Sequence, residues 1–398
     1  MTAMPQPAAR GSLSALFLVV LTGMIGFGIF IPIFPFLALH LGASATETTL
    51  AMGAYSLGQL LGAPGWGRLS DAAGRRSVLI IGLIGAAISY IMLAHATNVE
   101  MMGLARLFGG LMAGNVGAAF AAATDLADDR TRARNMGLLG AAFALGFIFG
   151  PAIGAALAGP EPTHESFARV CYAAAAFAAL AALGALLFFQ ETLPKHLRRS
   201  SDMPRIRRSA LLKAQPLLAR LVATTVLMIA AQALLETTFG LWADKELRWG
   251  PQETGYAFAA LGVMTVLMQG GATGRLARVL GERRMLIIGL CIFAAGFVAT
   301  ALAGNWPQTI FALALLAIGG GMASPALTSL IGAQTTNADR GAIMGLNQSA
   351  GALGRVIGPL FAGAIFDGLG HTAPFLIGAG VLMLALALAV FGARSSQT

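Results

Sequence analysis

The chain has 398 residues, 57% of them hydrophobic and only 11% charged, where soluble domains carry about 25% charged residues. With a mean hydropathy of +0.76, a water-soluble fold is excluded, because it could not hide so much apolar surface, and the bilayer must act as solvent. The formal net charge of +9 raises nucleic-acid binding, which the placement of the charges then excludes.

The N-terminus, Met1 to Arg10, is short and polar. The apolar run after it, about 13–39, is too long for a signal-peptide core, so it reads as a retained first helix. Further apolar runs follow at roughly 47–67, 77–97, 99–124, 135–158, 167–190, 216–243, 252–274, 284–304, 307–331, 341–366 and 371–392. Each can cross a hydrocarbon core of about 30 Å as a helix, and lipid demands helices because it offers backbone groups no partners. The expected fold is an all-α membrane protein of twelve transmembrane helices in two pseudo-symmetric six-helix halves. The halves are 1–190 and 216–398, joined by a cytoplasmic linker, 191–215.

With the N-terminus placed inside, the basic residues gather on one side. Of the 26 Lys and Arg, only Arg169, Lys245 and Arg248 fall in outer loops, and only Arg106 and Arg355 fall inside helices. This is a positive-inside pattern, and it explains the basic pI as topology, with no nucleic-acid partner. Both termini are expected in the cytoplasm, in a multi-pass protein of the cell inner membrane that works as a monomer in lipid. The linker arginines, Arg198 to Arg208, are placed to touch anionic lipid.

The halves repeat. Gly67-Arg68-Leu69-Ser70-Asp71, Gly74-Arg75-Arg76 and Leu79-Ile80-Ile81-Gly82 return 207 residues later as Gly274-Arg275-Leu276-Ala277-Arg278, Gly281-Glu282-Arg283-Arg284 and Leu286-Ile287-Ile288-Gly289. Gly110-Leu111-Met112-Ala113 pairs with Gly320-Gly321-Met322-Ala323, and Gly150-Pro151 with Gly358-Pro359. Parallel repeats of this kind place a substrate site between them near the bilayer midplane.

These residues resemble the major facilitator superfamily. The stretch from Gly67 to Arg76 is similar to the family's G-x-L-[SA]-D-[RK]-x-G-R-R loop, with Ala72 where the family has a basic residue. Arg106 and Gly110 resemble its R-x-x-x-G element. Gly146, Gly150, Pro151 and Gly154 look like the G-x-x-x-G-P-x-x-G element of the drug/proton antiporters, and Gly28 to Pro35 looks like the same group's helix-1 element. Gly319 to Leu327 and Val356 to Leu360 are similar to the tetracycline/proton antiporters in particular. The resemblance implies membrane carboxylates in helices 1, 3 and 9 and a histidine in helix 8, but Gly23, Ser89, Phe293 and Thr265 stand there. Gln59 and Gln269 match polar positions of that group. The scaffold therefore resembles a tetracycline exporter whose proton and drug chemistry has been rewritten.

Gly67, Asp71, Gly74, Arg75 and Arg76 form a candidate latch. Asp71 can accept hydrogen bonds at a helix N-terminus, whose dipole favours negative charge, and the resemblance implies the start of helix 11, near Gly341, as its partner. Against this stands a solvated turn with topogenic arginines. Gly146, Gly150, Pro151 and Gly154 form a candidate hinge, since proline removes a backbone hydrogen bond and glycines admit close packing.

Glu236 is the one carboxylate placed well inside a helix. A membrane carboxylate is costly, so it is a candidate for proton coupling, unless it is wetted from outside. Arg355, mid-helix 11, needs a partner or a water-filled cavity; Glu236 is the obvious partner, and an anionic substrate the alternative. Arg106 is a second membrane cation, a candidate proton relay or a packing residue. Gln59, Asn115, Gln232, Gln269, Asn347 and Gln348 are candidates to line the substrate cavity, though polar groups also glue helices. Phe27, Phe30 and Phe239, with Phe34 and Phe143, could form its apolar wall.

No G-x-x-x-x-G-K-[ST] loop occurs, and the five histidines and two cysteines show no metal-ligand spacing. No cofactor, metal or catalytic constellation is expected. The leading reading is a secondary active transporter that exports drug-like or other small organic molecules in exchange for protons by alternating access. A metabolite or organic-anion facilitator or symporter of the same fold is the runner-up. A membrane receptor is disfavoured by the matched halves and the lack of a large soluble domain.

Overall fold

A computed structural model describes residues 7–128, 131–159, 163–193, 215–335 and 340–391. Most of the expected linker, 191–215, lies outside the described residues. Among them every regular element is helical: α1 (Pro7–Phe30), α2 (Phe34–His40), α3 (Ala45–Ala73), α4 (Arg75–Ala94), α5 (Val99–Leu111), α6 (Asn115–Asp125), α7 (Arg132–Ala158) and α8 (His164–Phe188). There follow α9 (Pro216–Trp242), α10 (Pro251–Leu267), α11 (Thr273–Leu280), α12 (Glu282–Leu302), α13 (Trp306–Ala333), α14 (Arg340–Leu369) and α15 (Ala373–Phe391). Eleven spans among the described residues are long and apolar enough to cross a membrane. The remaining expected span, α3, has the length, 29 residues, or about 43 Å at 1.5 Å per residue. Its Gly, Ser, Gln, Asp and Arg content lowers its apolarity.

Several expected spans are interrupted, for local reasons. The first is not one helix over 13–39: α1 stops at Phe30 and α2 starts at Phe34, because Pro32 has no N–H to give the ladder. The fourth is not one helix over 99–124: it breaks between α5 and α6 at 112–114, where the Trp66 indole donates to Leu111 O at 2.5 Å. There the Trp66 ring also lies against Gly114 so closely that a Cβ would meet it at 2.5 Å. Spans seven and eight carry π-helical turns, Ala243–Leu247 and Met268–Ala272, a form often found at functional sites.

The chain divides into two compact units. The first holds Met1–Gly42, Ala54–Met203 and Pro251–Ala259; the second holds Ala43–Gly53, Pro204–Gly250 and Ala260–Thr398. In the first, α1 packs on α7 and α8, and α4 packs on α5, α6 and α8. In the second, α9 packs on α14 and α15, and α12 packs on α13 and α15. The internal layouts correspond, as the sequence repeat requires.

The correspondence extends to single atoms. Gly74 and Gly281, 207 residues apart, both take positive φ (100° and 75°) at the N-caps of α4 and α12; that backbone region favours glycine. Asn98 and Asn305, at the same offset, both cap a helix, accepting from Met101 N at 2.8 Å and Gln308 N at 3.1 Å. A Cβ on Gly82 would meet Asn115 N at 2.9 Å and Met112 O at 3.0 Å. Its twin Gly289 would meet Ala323 N at 2.8 Å and Met322 Cβ at 3.0 Å.

Candidate functional site

The loop between α3 and α4 carries the latch residues. Gly74 ends α3 and offers α4 no capping side chain. Glu191, just past α8, supplies one: its Oε1 accepts from Arg75 N at 2.9 Å and its Oε2 from Arg76 N at 3.3 Å. A carboxylate is favoured at that helix end by the dipole. The Arg75 side chain reaches Asp71 at 2.6 Å, Asp125 at 3.1 Å and Ser70 at 2.9 Å. Asp71 itself is 55% exposed, and Gly67 stands in open space. The side-chain surroundings of Gly341, the implied partner, lie outside the described residues. Replacing Glu191 with alanine is expected to cost about 1 kcal/mol, the size of a lost helix cap; a lowered Tm of purified protein, partly restored by Glu191→Gln, checks it.

Gly146, Gly150, Pro151 and Gly154 lie on α7, which runs unbroken through Pro151. In the first unit they pack closely on α1. A Cβ on Gly28 would meet Gly146 O at 2.9 Å and Pro151 Cδ at 3.2 Å; one on Gly150 would meet Gly28 Cα at 2.6 Å. The second unit repeats this: a Cβ on Gly358 of α14 would meet Ala230 O at 2.6 Å on α9.

Arg106, on α5, is 7% exposed. Its guanidinium lies 4.4 Å from the Tyr55 ring centre, 5.8 Å from Phe34 and 6.0 Å from Phe30. Arg106 lines a cavity of about 20 Å³ together with Asn115 and Phe27. Phe27 packs on Tyr55 with ring centres 5.4 Å apart. Gln59 sits on α3 one turn after Tyr55, half-buried beside Gly110.

In the second unit, Glu236 lies half-buried on α9 and accepts a hydrogen bond from Gln232, one turn earlier, at 2.8 Å. Arg355 on α14 acts on the same carboxylate electrostatically. Asn347 accepts from Thr225 Oγ1 at 2.7 Å, joining α14 to α9. Gln348 and Gln269 are exposed, the latter in the second π-helical turn. Phe239 is fully buried against Trp242, ring centres 5.5 Å apart, in the packing of the unit.

The model of the Major Facilitator Superfamily matches residues 16–271 and 221–398. The chain belongs to this superfamily. Two relatives in the superfamily are tetracycline resistance proteins. The class G protein of Vibrio anguillarum is 31% identical over 89% of this chain and 90% of its own length. The class B protein of Escherichia coli is 30% identical over 89% and 88%. Among solved structures, the human organic anion transporter MFSD10 aligns with a TM-score of 0.71 at 26% identity, covering 96% of this chain and all of that one. As a superfamily member the chain is a multi-pass membrane protein and a secondary transporter of small molecules.

The positions at which the resemblance implies membrane carboxylates hold Gly23, Ser89 and Phe293 in this chain, each with a packing role of its own. Ser89 donates to Ala105 O at 2.8 Å, locking α4 to α5. Phe293 packs against Gly319 and, edge-on, against Phe297. Gly23 admits Leu83. Sequence reasoning missed Glu191, Asp125 and Tyr55. Glu191 and Asp125 each come from a helix end remote in sequence from the arginine they serve, and Tyr55 reaches Arg106 across 51 positions, so no local spacing announces them.

Proposed function

We propose that the chain exports drug-like or other small amphiphilic organic molecules across the inner membrane in exchange for protons. The two halves, 1–190 and 216–398, would expose the site alternately, with both termini in the cytoplasm and the monomer as the working unit. The observation that carries the reading is Glu236: a carboxylate within a membrane span, held by Gln232 and in the field of Arg355. A group that is costly to keep charged there gains by binding a proton. The names of the class G and class B relatives support export of a toxic compound. Asp71, Arg75 and Arg76 would set the conformational cycle, and Arg106 supplies fixed positive charge to the first unit. Gln59 in the first unit, and Gln269 and Gln348 in the second, would offer polar groups to the substrate.

Substrate-induced proton release from protein in proteoliposomes tests this. Release on adding a transported compound is expected from an antiporter. Transport without any proton flux would make the chain a facilitator and overturn the coupling. Arg106, whose Nε has no hydrogen-bond partner among the described residues, favours a second reading, an organic-anion carrier of the same fold, in line with the name of its human structural relative.

A further inference from the structure

α14 carries a negative charge in its last turn. Asp367 stands just before Leu369, the end of the helix, where the helix dipole disfavours a carboxylate. Its partner is the opposite end of another helix. Asp367 Oδ2 accepts from Thr46 N at 2.9 Å and from Thr46 Oγ1 at 2.7 Å, in the first turn of α3, where the dipole favours it. α3 does not need this carboxylate in order to begin. Ser44 N donates to Glu47 Oε2 at 2.8 Å and Glu47 N to Ser44 Oγ at 3.2 Å, the reciprocal pair of a capping box. The contact with Asp367, across 321 positions, therefore serves the tertiary structure and not the helix.

Close packing runs on from it. A Cβ on Gly363, one turn before Asp367, would meet Ala45 O at 2.5 Å and would also meet Thr46 Cα. Further along, a Cβ on Gly53 of α3 would meet Pro359 Cβ at 2.9 Å. The start of α3 and the end of α14 thus run antiparallel and in contact from Thr46 to Gly53. Ala43–Gly53 accordingly belongs to the second compact unit, while the rest of α3 belongs to the first. α10 shows the reciprocal arrangement: Pro251–Ala259 belongs to the first unit, and a Cβ on Gly255 would meet Pro151 O at 2.9 Å on α7. At the offset of 208 that pairs Pro151 with Pro359, Gly159 stands where Asp367 does. The repeat keeps the packing in both units and adds a carboxylate at this place in only one.

We propose that Asp367 is a latch for the outer end of the transport cycle. It ties the start of the second span to the eleventh, and the halves part at that end only when Asp367 releases Thr46. Asp71 lies at the other end of α3, so one helix is tied alternately at its two ends. The latch rests on the alternating-access reading with the N-terminus inside, and not on substrate identity or proton coupling.

Double electron–electron resonance on the full-length chain in lipid nanodiscs tests it. Nitroxides go on Glu100→Cys and Gly304→Cys, exposed sites in the two halves, in a Cys291→Ser background that leaves only the buried Cys171. Asp367→Ala is expected to raise the long-distance, outward-open population about fivefold or more over the parent, the scale of losing hydrogen bonds to a charged group. Glu47→Gln removes a neighbouring charge but can keep the capping box, and should match the parent. Should Asp367→Ala fail to fold, Thr46→Val carries the test: it keeps the shape, loses one of the two hydrogen bonds, and should raise that population about twofold or more. An unchanged distribution in the folded variants, or an equal shift in Glu47→Gln, overturns the latch. Two populations in the parent that ignore Asp367 overturn the latch alone and leave the transport reading standing. A single population in the parent and every variant, while a compound is still transported, overturns alternation and latch together.

Discussion

Glu236→Gln is expected to cut substrate accumulation driven by a pH gradient about fivefold or more while leaving substrate exchange at equal pH. The amide keeps the shape and can still pair with Gln232, whose Nε2 lies 2.8 Å from Glu236 Oε1, but it cannot take up and release a proton. The linkage between proton and substrate is then removed. Coupling between two bound ligands is worth a factor on the order of 5–150, so gradient-driven accumulation should fall at least to the lower end of that range. Measuring accumulation and counterflow in the same proteoliposomes separates the two effects. Arg355→Ala should instead destabilise the protein, because it leaves the Glu236 charge without the cation that acts on it. The double variant Glu236→Gln/Arg355→Gln, which removes both charges, should recover expression without recovering coupling. Full gradient-driven transport by Glu236→Gln would sink the assignment.

Gly150→Leu should disrupt the first unit. The new Cβ would stand 2.6 Å from Gly28 Cα, 2.7 Å from Gly28 C and 2.9 Å from Ile25 O. These are backbone atoms of α1, which no rotamer change can move aside, so α1 and α7 must separate. Overpacking of this kind costs about 1–3 kcal/mol or more, and helix association in lipid depends on such close approach of backbones. The expected result is a sharply lower Tm and little transport. Gly140→Leu, on the same helix with nothing within 4 Å of its Cβ, should behave like the parent. Gly358→Leu should reproduce the Gly150 effect in the second unit, because its Cβ meets Ala230 O at 2.6 Å. Equal stability of the Gly140 and Gly150 variants would refute the packing role.

The architecture was legible in the sequence because its cause is one-dimensional. Lipid demands runs of about 20 apolar residues, and the repeat at 207–210 positions survives as identical turn glycines and caps. The superfamily could be read for the same reason: Gly67 to Arg76 and Gly146 to Gly154 are contiguous, so their spacing is visible without a fold. The breaks within spans were less legible. Pro32 announces one, but the break after Leu111 needs Trp66, 45 residues away, to take the Leu111 carbonyl.

The membrane, the helices, the two-fold repeat and the intramembrane charges Glu236, Arg106 and Arg355 could all be read from residue order alone. An apolar run or an intramembrane charge is costly whatever surrounds it, so its meaning does not wait on neighbours. What each charge meets across helices came from the folded packing. It set Glu236 in the field of Arg355, Glu191 on the α4 N-terminus, and the rings of Tyr55, Phe34 and Phe30 around Arg106. It also showed that Gly150, in the expected hinge, lies in close contact with α1 on a helix that runs through Pro151. Those partners lie dozens to more than a hundred residues apart, and which faces of two helices touch is fixed by packing geometry that no single helix encodes.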